Sequence, residues 1–209
     1  MGLDYSYVLV SEQNEEIKNF IIKHSEEKIN ISGNDDCLCI SFPLDAQIRE
    51  YFENFDADWK SKCLCDFMHD NIGRIGCIYY SRYAIDDLPG YYKHEFTAAI
   101  SSMSRLFENS PCIKKWFIDL SRASNSIMTY MDLEDSGIKL IYDKGCETDI
   151  IYDVYYDYED DKTDIRYKKI CDDTAVAALD LIRKVYSIGY ESDIKSITQD
   201  CGALKDMPH

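Results

Sequence analysis

The sequence contains no uncharged run that approaches the roughly 18 residues of a membrane-spanning helix. Its first residues, Met1 to Ser6, include neither the basic nor the apolar stretch of a signal peptide. Basic residues are scarce, since 23 Lys and Arg stand against 39 Asp and Glu, and the formal net charge is −16. Such a charge repels phosphate backbones and anionic membrane surfaces. We therefore expect a cytoplasmic protein that associates with neither nucleic acid nor membrane.

Motifs that fix a reaction are also missing. The chain has no G-x-S-x-G elbow and no P-loop, and the run from Gly73 to Gly76 lacks the third glycine of a dinucleotide-binding loop. Nine cysteines form an odd set, which argues against a disulfide framework. The Cys37/Cys39 and Cys63/Cys65 pairs are spaced more closely than typical zinc ligands. We expect no metal, no cofactor and no catalytic residue, so an enzyme is the less favoured class.

Material for a hydrophobic core is plentiful, because 45% of the residues are hydrophobic and 17 are tyrosines. A length of 209 residues suits one domain. We predict a single α+β domain over residues 1–190 and a C-terminal extension over 191–209, where a short helix would precede a tail. Alternating patterns predict strands over 4–10, 37–42, 74–85, 91–98, 127–133, 138–143, 148–158 and 165–170.

Short turns join most of these strands in pairs, which predicts a mainly antiparallel sheet built from hairpins. Apolar residues at helical spacing predict about five helices that back the sheet. We expect these helices after Ser11, after Pro43, after Ser101, after Ser110-Pro111 and near Asp172-Asp173. A less regular stretch over residues 56–71 places Trp59, Cys63 and Phe67 on one helical face.

The third hairpin, over residues 148–170, is the most unusual feature of the sequence. Residues 129–164 hold twelve acids against three lysines, a net charge of −9. Strand alternation places Ile150, Tyr152, Val154, Tyr156 and Tyr158 on the core side. It places five others outward, which we call the hairpin face: Asp149, Ile151, Asp153, Tyr155 and Asp157. Carboxylates that surround an aliphatic and an aromatic residue are typical of a surface that binds a basic protein.

A simpler interpretation of the same face is that it is merely solvated. If the hairpin turns at Asp160 to Thr163, Asp157 lies opposite Arg166 and Tyr155 lies opposite Lys168. Cross-strand charge pairs would then account for the acids without any partner. The two interpretations differ in whether the carboxylates are occupied by the protein's own cations.

A second candidate site lies on the first long hairpin, whose strands are joined by residues 86–90. A regular five-residue connection places Arg82 opposite His94, and His94 shares its strand face with Tyr92 and Phe96. An arginine beside a histidine on an aromatic face can line a small-ligand pocket. It can equally be a hydrogen-bonded histidine at the edge of the core.

Two hypotheses follow from the sequence. In the first, the protein is an acidic binding module, such as an immunity-type protein that neutralises a basic toxin, and it binds its partner through the hairpin face. In the second, it is a small-ligand-binding protein or an enzyme with a pocket near Arg82 and His94. The sequence determines neither the partner nor the oligomeric state.

Overall fold

A computed structural model describes residues 4–12, 15–25, 36–54, 67–157, 162–167 and 173–186. Of residues 135, 153–157, 162–167, 173–177 and 186 it describes the backbone only. The predicted extension over 191–209, and the Cys63/Cys65 pair, lie outside the described residues. No helix in the described part of the chain is long and apolar enough to cross a membrane.

Nine strands form one sheet within these residues, and all of their pairings are antiparallel. The strands are β1 Ser6–Glu12, β2 Asp36–Pro43, β3 Phe67–His69, β4 Ile72–Ala84, β5 Tyr91–Ala98, β6 Met128–Asp132, β7 Ile138–Asp143, β8 Cys146–Asp157 and β9 Lys162–Tyr167. Their order is β2-β4-β5-β1-β6-β7-β8-β9, and β3 pairs with the beginning of β4.

Five α-helices accompany the sheet in the described residues, so the predicted α+β fold is confirmed. They are α1 Glu16–Lys23, α2 Ala46–Glu53, α3 Ser101–Asn109, α4 Pro111–Ala123 and α5 Asp173–Tyr186. A single 3-10 turn, Glu134–Ser136, links β6 to β7. Helix α2 begins later than the predicted start after Pro43, because Pro43 ends β2 and Asp45 caps the helix. Residues Phe67–His69 form a strand, so the predicted helix over 56–71 is wrong at that end.

The two faces of the sheet are covered by different helices. The first face carries Tyr7, Leu9 and Phe96 and packs against helices α1 to α4. Tyr7 stacks on Phe117 of α4 with ring centroids 3.9 Å apart, and its hydroxyl donates to the carbonyl of Phe107 at 2.9 Å. Burial raises the pKa of Tyr7. A cluster on the second face packs under α5 and includes Val8, Val10, Met128, Tyr130, Leu140, Tyr152, Leu179, Ile182 and Val185.

These two helix layers leave opposite ends of the sheet less covered. On the first face, β8 lies beyond the edge of α4, and this end carries the hairpin face. On the second face, the polar and tyrosine residues of β4 and β5 lie beside the apolar cluster under α5.

In the middle of β4, the alternation of side chains between the two faces of the sheet is interrupted. Ile75 and Ile78 both lie in the first-face core, although their spacing of three positions would place them on opposite faces of a regular strand. The change occurs at a β-bulge opposite Cys39, where Cys77 adopts a left-handed backbone with φ of 58°. Simple alternation in the sequence therefore cannot predict the faces of β4 on both sides of this bulge.

At Gly73 the side chains of α2 pack directly against the backbone of β4. A Cβ added there would lie 2.5 Å from Cγ2 of Ile48 and 3.3 Å from the ring of Phe52. We expect Gly73→Ala to lower the free energy of unfolding by about 2 kcal/mol, because overpacking forces the helix or its side chains to move. Chemical denaturation of the variant measures this loss.

A double variant separates this clash from a general intolerance of β4 to substitution. Ile48→Ala removes the atom that the new Cβ would meet, so Gly73→Ala should cost clearly less when it is added to Ile48→Ala. Strictly additive losses would contradict the proposed contact.

Candidate functional site

The hairpin face is built by a tight turn between β7 and β8. Lys144 and Gly145 occupy this turn with φ of 45° and 93°, which is the backbone of a two-residue hairpin. The turn places Ile150 opposite Leu140 and Ile151 opposite Lys139. Sequence reasoning did not identify this hairpin, although a glycine between two alternating segments was a usable signal.

The predicted alternation of β8 is confirmed where its side chains are described. Tyr152 is buried in the cluster under α5, and Ile150 packs against that cluster. On the other face, Asp149 is exposed and the side chain of Ile151 is 41% exposed. Ile151 is therefore an exposed apolar side chain on the same face as an exposed carboxylate.

The carboxylate of Asp149 is held by two lysines of the same protein. Its Oδ1 atom lies 3.2 Å from Nζ of Lys114 on α4 and 3.3 Å from Nζ of Lys139 on β7. Slight burial raises the pKa of Asp149, but both ammonium groups lower it, and the net shift is downward. The Asp149 side chain is still 64% exposed. Such exposed pairs contribute only about 0–1 kcal/mol each, so a partner's cations can exchange with them.

Further ion pairs join α4 to the start of β8. Arg122 pairs with Glu147 of β8 and, at 3.3 Å, with Asp119 of its own helix. The hydrogen bond from Arg122 to Glu147 raises the pKa of the guanidinium. Lys115 also pairs with Asp119, at 2.8 Å. The helix-side border of the hairpin face is therefore a network of paired charges rather than a row of unpaired acids.

The backbone pairing of β8 with β9 differs from the prediction. Asp157 lies opposite Lys162, Tyr155 opposite Asp164 and Asp153 opposite Arg166. The expected pairs of Asp157 with Arg166 and of Tyr155 with Lys168 are therefore wrong by four residues. A shift by an even number leaves every residue on its predicted face, so the hydrophobic pattern does not distinguish the two registers.

The second candidate site has the predicted pairing, with Arg82 opposite His94. His94 is 3% exposed. Its Nδ1 lies 2.9 Å from the hydroxyl of Tyr80, and its Nε2 lies 3.3 Å from the hydroxyl of Ser11. Burial, with a further contribution from Arg82, lowers the pKa of His94 to about 4. Both ring nitrogens are thus engaged by side chains of the protein, and the ring is neutral at pH 7.

Arg82 lies close to an aromatic ring. Its guanidinium carbon is 5.4 Å from the ring centroid of Tyr92, within the range of a cation–π contact. Burial also raises the pKa of Tyr80 to about 12, so its hydroxyl keeps its proton beside His94. The group formed by Arg82, His94, Tyr80 and Tyr92 has the character of a hydrogen-bonded core edge. The ligand pocket near Arg82 and His94 stays a prediction.

Sequence reasoning missed the second less covered end of the sheet. Here Tyr79 and Tyr83 of β4 are 47% and 45% exposed. At the neighbouring end of β6, burial raises the pKa of Asp132 to about 6, although its Oδ1 accepts a hydrogen bond from the backbone N–H of Glu134 at 2.9 Å. The spacing of the two tyrosines by four residues was a usable signal, because strand alternation places them on one face.

Within the described residues, no three His, Cys, Asp or Glu side chains come together as metal ligands would. Comparison of the chain with protein-family models, with curated proteins and with solved structures gives no match. The arguments for a function therefore rest on the charges and surfaces described above.

Proposed function

We propose that this protein is an acidic binding module that recognises a basic protein partner through the hairpin face, as an immunity-type protein does when it neutralises a basic toxin. The observation that carries the proposal is the charge of −9 on residues 129–164, next to the exposed Ile151 of β8. Negative charge steers a basic partner toward the molecule, and an exposed apolar side chain gives it a contact to bury.

The ion pairs of Asp149 indicate which part of the hairpin face would contact the partner. Because Lys114 and Lys139 already pair with this carboxylate, we expect Asp149 to attract a partner less strongly than the acids further along the hairpin. Asp153 and Asp157 lie on that part of β8, and the connection to β9 adds Glu159, Asp160 and Asp161. Lys162 and Arg166 lie opposite two of these acids and leave the segment negative.

Free thiols support a cytoplasmic location for this module. In the described part of the chain, Cys37, Cys112 and Cys146 are free cysteines. A reducing compartment keeps such thiols free, whereas secreted proteins tend to oxidise them. A cytoplasmic binding module of this kind would meet its partner inside the cell.

The proposal predicts salt-dependent binding that the hairpin acids dominate. We expect the protein to bind a nona-lysine peptide at about 10 mM salt and to lose this binding at about 0.5 M salt, where charges are screened. The double variant Asp153→Asn/Asp157→Asn should weaken binding about fivefold, because each exposed charge pair contributes up to about 1 kcal/mol. Isothermal titration at both salt concentrations measures the two effects.

A variant with the same net charge is the control. Glu50→Gln/Glu53→Gln removes two exposed acids from α2, at the opposite end of the molecule from β8. This control should bind nona-lysine nearly as well as the original protein. The proposal fails if no binding occurs at low salt, or if the α2 variant loses as much affinity as the hairpin variant.

A further inference from the structure

A polar sheet face lies next to the apolar cluster under α5. Strand pairing matches Tyr79 with Thr97, Ser81 with Glu95 and Tyr83 with Lys93, and the next residues across on β1 are Ser6, Val8 and Val10. Val8 and Val10 belong to the cluster under α5, so this face begins where that cluster ends. We call it the tyrosine face, and its members are Tyr79, Ser81, Tyr83, Lys93, Glu95 and Thr97.

The tyrosine face already holds one cation above an aromatic ring. The Nζ atom of Lys93 lies 5.8 Å from the ring centroid of Tyr83 and 3.1 Å from a carboxylate oxygen of Glu95. Lys93 is thus neutralised by its neighbour. The ring of Tyr79 has no such contact in the described structure, and both tyrosines expose nearly half of their surface. Exposed tyrosines are among the residues that anchor protein interfaces.

Acids border this face at both ends. Asp86 and Asp87 are exposed in the turn that follows Tyr83 and Ala84. At the other end, Thr97 pairs with Ser6, which pairs on its far side with Asp132, and Glu134 follows two residues later. A second copy of this chain would bring another charge of −16 to these acids, so charge disfavours a homodimer through this surface. Charge favours a cationic occupant instead.

We propose that the tyrosine face is a second docking surface, and that it receives arginine side chains of the basic partner. This inference rests on the proposed function. A guanidinium is planar and weakly hydrated, so it stacks on a tyrosine ring better than an ammonium does. Tyr79 and Tyr83 are four residues apart on β4, about 13 Å, which is also the spacing of side chains i and i+4 in an extended segment. The fitting partner is a segment with arginines at that spacing.

The test compares nona-arginine with nona-lysine, because pure charge attraction treats the two peptides alike. We expect the original protein to bind nona-arginine about tenfold more tightly, from two stacking contacts. The variant Tyr79→Thr/Tyr83→Thr should lose this preference while it still binds nona-lysine. Threonine retains strand propensity, so the variant should fold, and its thermal unfolding checks this.

Two further variants separate this inference from the proposed function. Ile72→Thr removes a side chain that is 45% exposed from the same strand, outside the tyrosine face, and should keep the arginine preference. Asp153→Asn/Asp157→Asn should weaken both peptides equally and keep the preference as well. Equal binding of the two peptides by the original protein would contradict the proposed role of the tyrosine face. An arginine preference that survives in Tyr79→Thr/Tyr83→Thr would contradict it as well. Neither result would affect the proposal for the hairpin face. Absence of binding to either peptide overturns the proposed function and this inference together.

Discussion

Replacement of Asp45 by alanine is expected to lower the free energy of unfolding by about 3 kcal/mol. One carboxylate caps the N-termini of two helices here. Its Oδ1 accepts from the backbone N–H of Ile48 in α2 at 2.8 Å. Its Oδ2 accepts from the backbone N–H of Cys112 in α4 at 3.0 Å and from the hydroxyl of Ser110 at 2.6 Å. The variant loses all three bonds and the attraction of two helix dipoles.

Two smaller substitutions separate the contributions of the charge and of the individual hydrogen bonds to this loss of stability. Asp45→Asn keeps the acceptor for Ile48 but gives up the charge, and Ser110→Ala removes only the cap of Ile113, at 3.1 Å, and the bond to Asp45. Each should cost about 1–2 kcal/mol, clearly less than Asp45→Ala. Equal losses in Asp45→Asn and Asp45→Ala would show that charge alone is responsible.

The pH dependence of the Asp45 effect has a definite sign. Burial raises the pKa of Asp45, but the hydrogen bonds from Ser110, Ile48 and Cys112 outweigh it, and the net shift is downward from 3.8. A carboxyl with a lowered pKa stabilises the fold above the pKa of the unfolded chain, and this stabilisation is lost as the pH falls through the lower folded value. The gap between the original protein and Asp45→Asn should therefore narrow below about pH 4.

The same capping bonds also position the candidate binding surface. Helix α4 carries Lys114 and Arg122, which hold Asp149 and Glu147 at the start of β8. Asp45→Ala removes the bonds to Cys112 and Ser110, so we expect the first turn of α4 near Lys114 to fray more readily, although Ser110 still caps Ile113. The border of the hairpin face should then loosen. We expect any loss of nona-lysine affinity in Asp45→Ala to result from this loosened border, because Asp45 itself does not belong to the hairpin face.

Local patterns allowed much of this fold to be predicted. The predicted connection over residues 86–90, together with alternation, correctly placed Arg82 opposite His94. Alternation also placed Tyr152 inside and Ile151 outside on β8. Each of these features depends on residues that are close in the sequence or on a period of two, which a single strand displays by itself.

Contacts between distant segments could not be predicted in the same way. Lys114 is 35 residues from Asp149, and Ser110 is 65 residues from Asp45. Nothing in a local pattern shows which helix will lie beside which strand. The sequence therefore gave no sign that lysines from α4 and β7 pair with Asp149 of β8. The register of β9 was missed for a related reason, because both registers bury the same side chains.

The histidine at the edge of the core should make stability depend on pH between about 6.5 and 4. Burial first, and Arg82 second, lower the pKa of His94 to about 4 in the folded protein, while the unfolded chain has the ordinary value near 6.5. Between these values the unfolded chain binds a proton that the folded protein does not. Stability therefore falls with decreasing pH, by about 3 kcal/mol in total at 1.4 kcal/mol per pH unit.

The variant His94→Gln isolates this effect. At pH 7 it should be less stable than the original protein by about 1–2 kcal/mol, because Tyr80 and Ser11 lose part of their hydrogen bonding. Glutamine does not titrate, so the difference should shrink as the pH falls and reverse between about pH 6 and pH 5. Urea denaturation at half-unit steps of pH measures both curves.

Tyr80→Phe is the matched control, since it removes the hydroxyl at Nδ1 but keeps the titrating ring. Its stability should lie about 1 kcal/mol below that of the original protein at pH 7 and still fall between pH 6.5 and 4. A constant gap between the original protein and His94→Gln over this range would contradict the neutral, buried ring. It would instead indicate a histidine that takes up its proton at the same pH in the folded protein as in the unfolded chain.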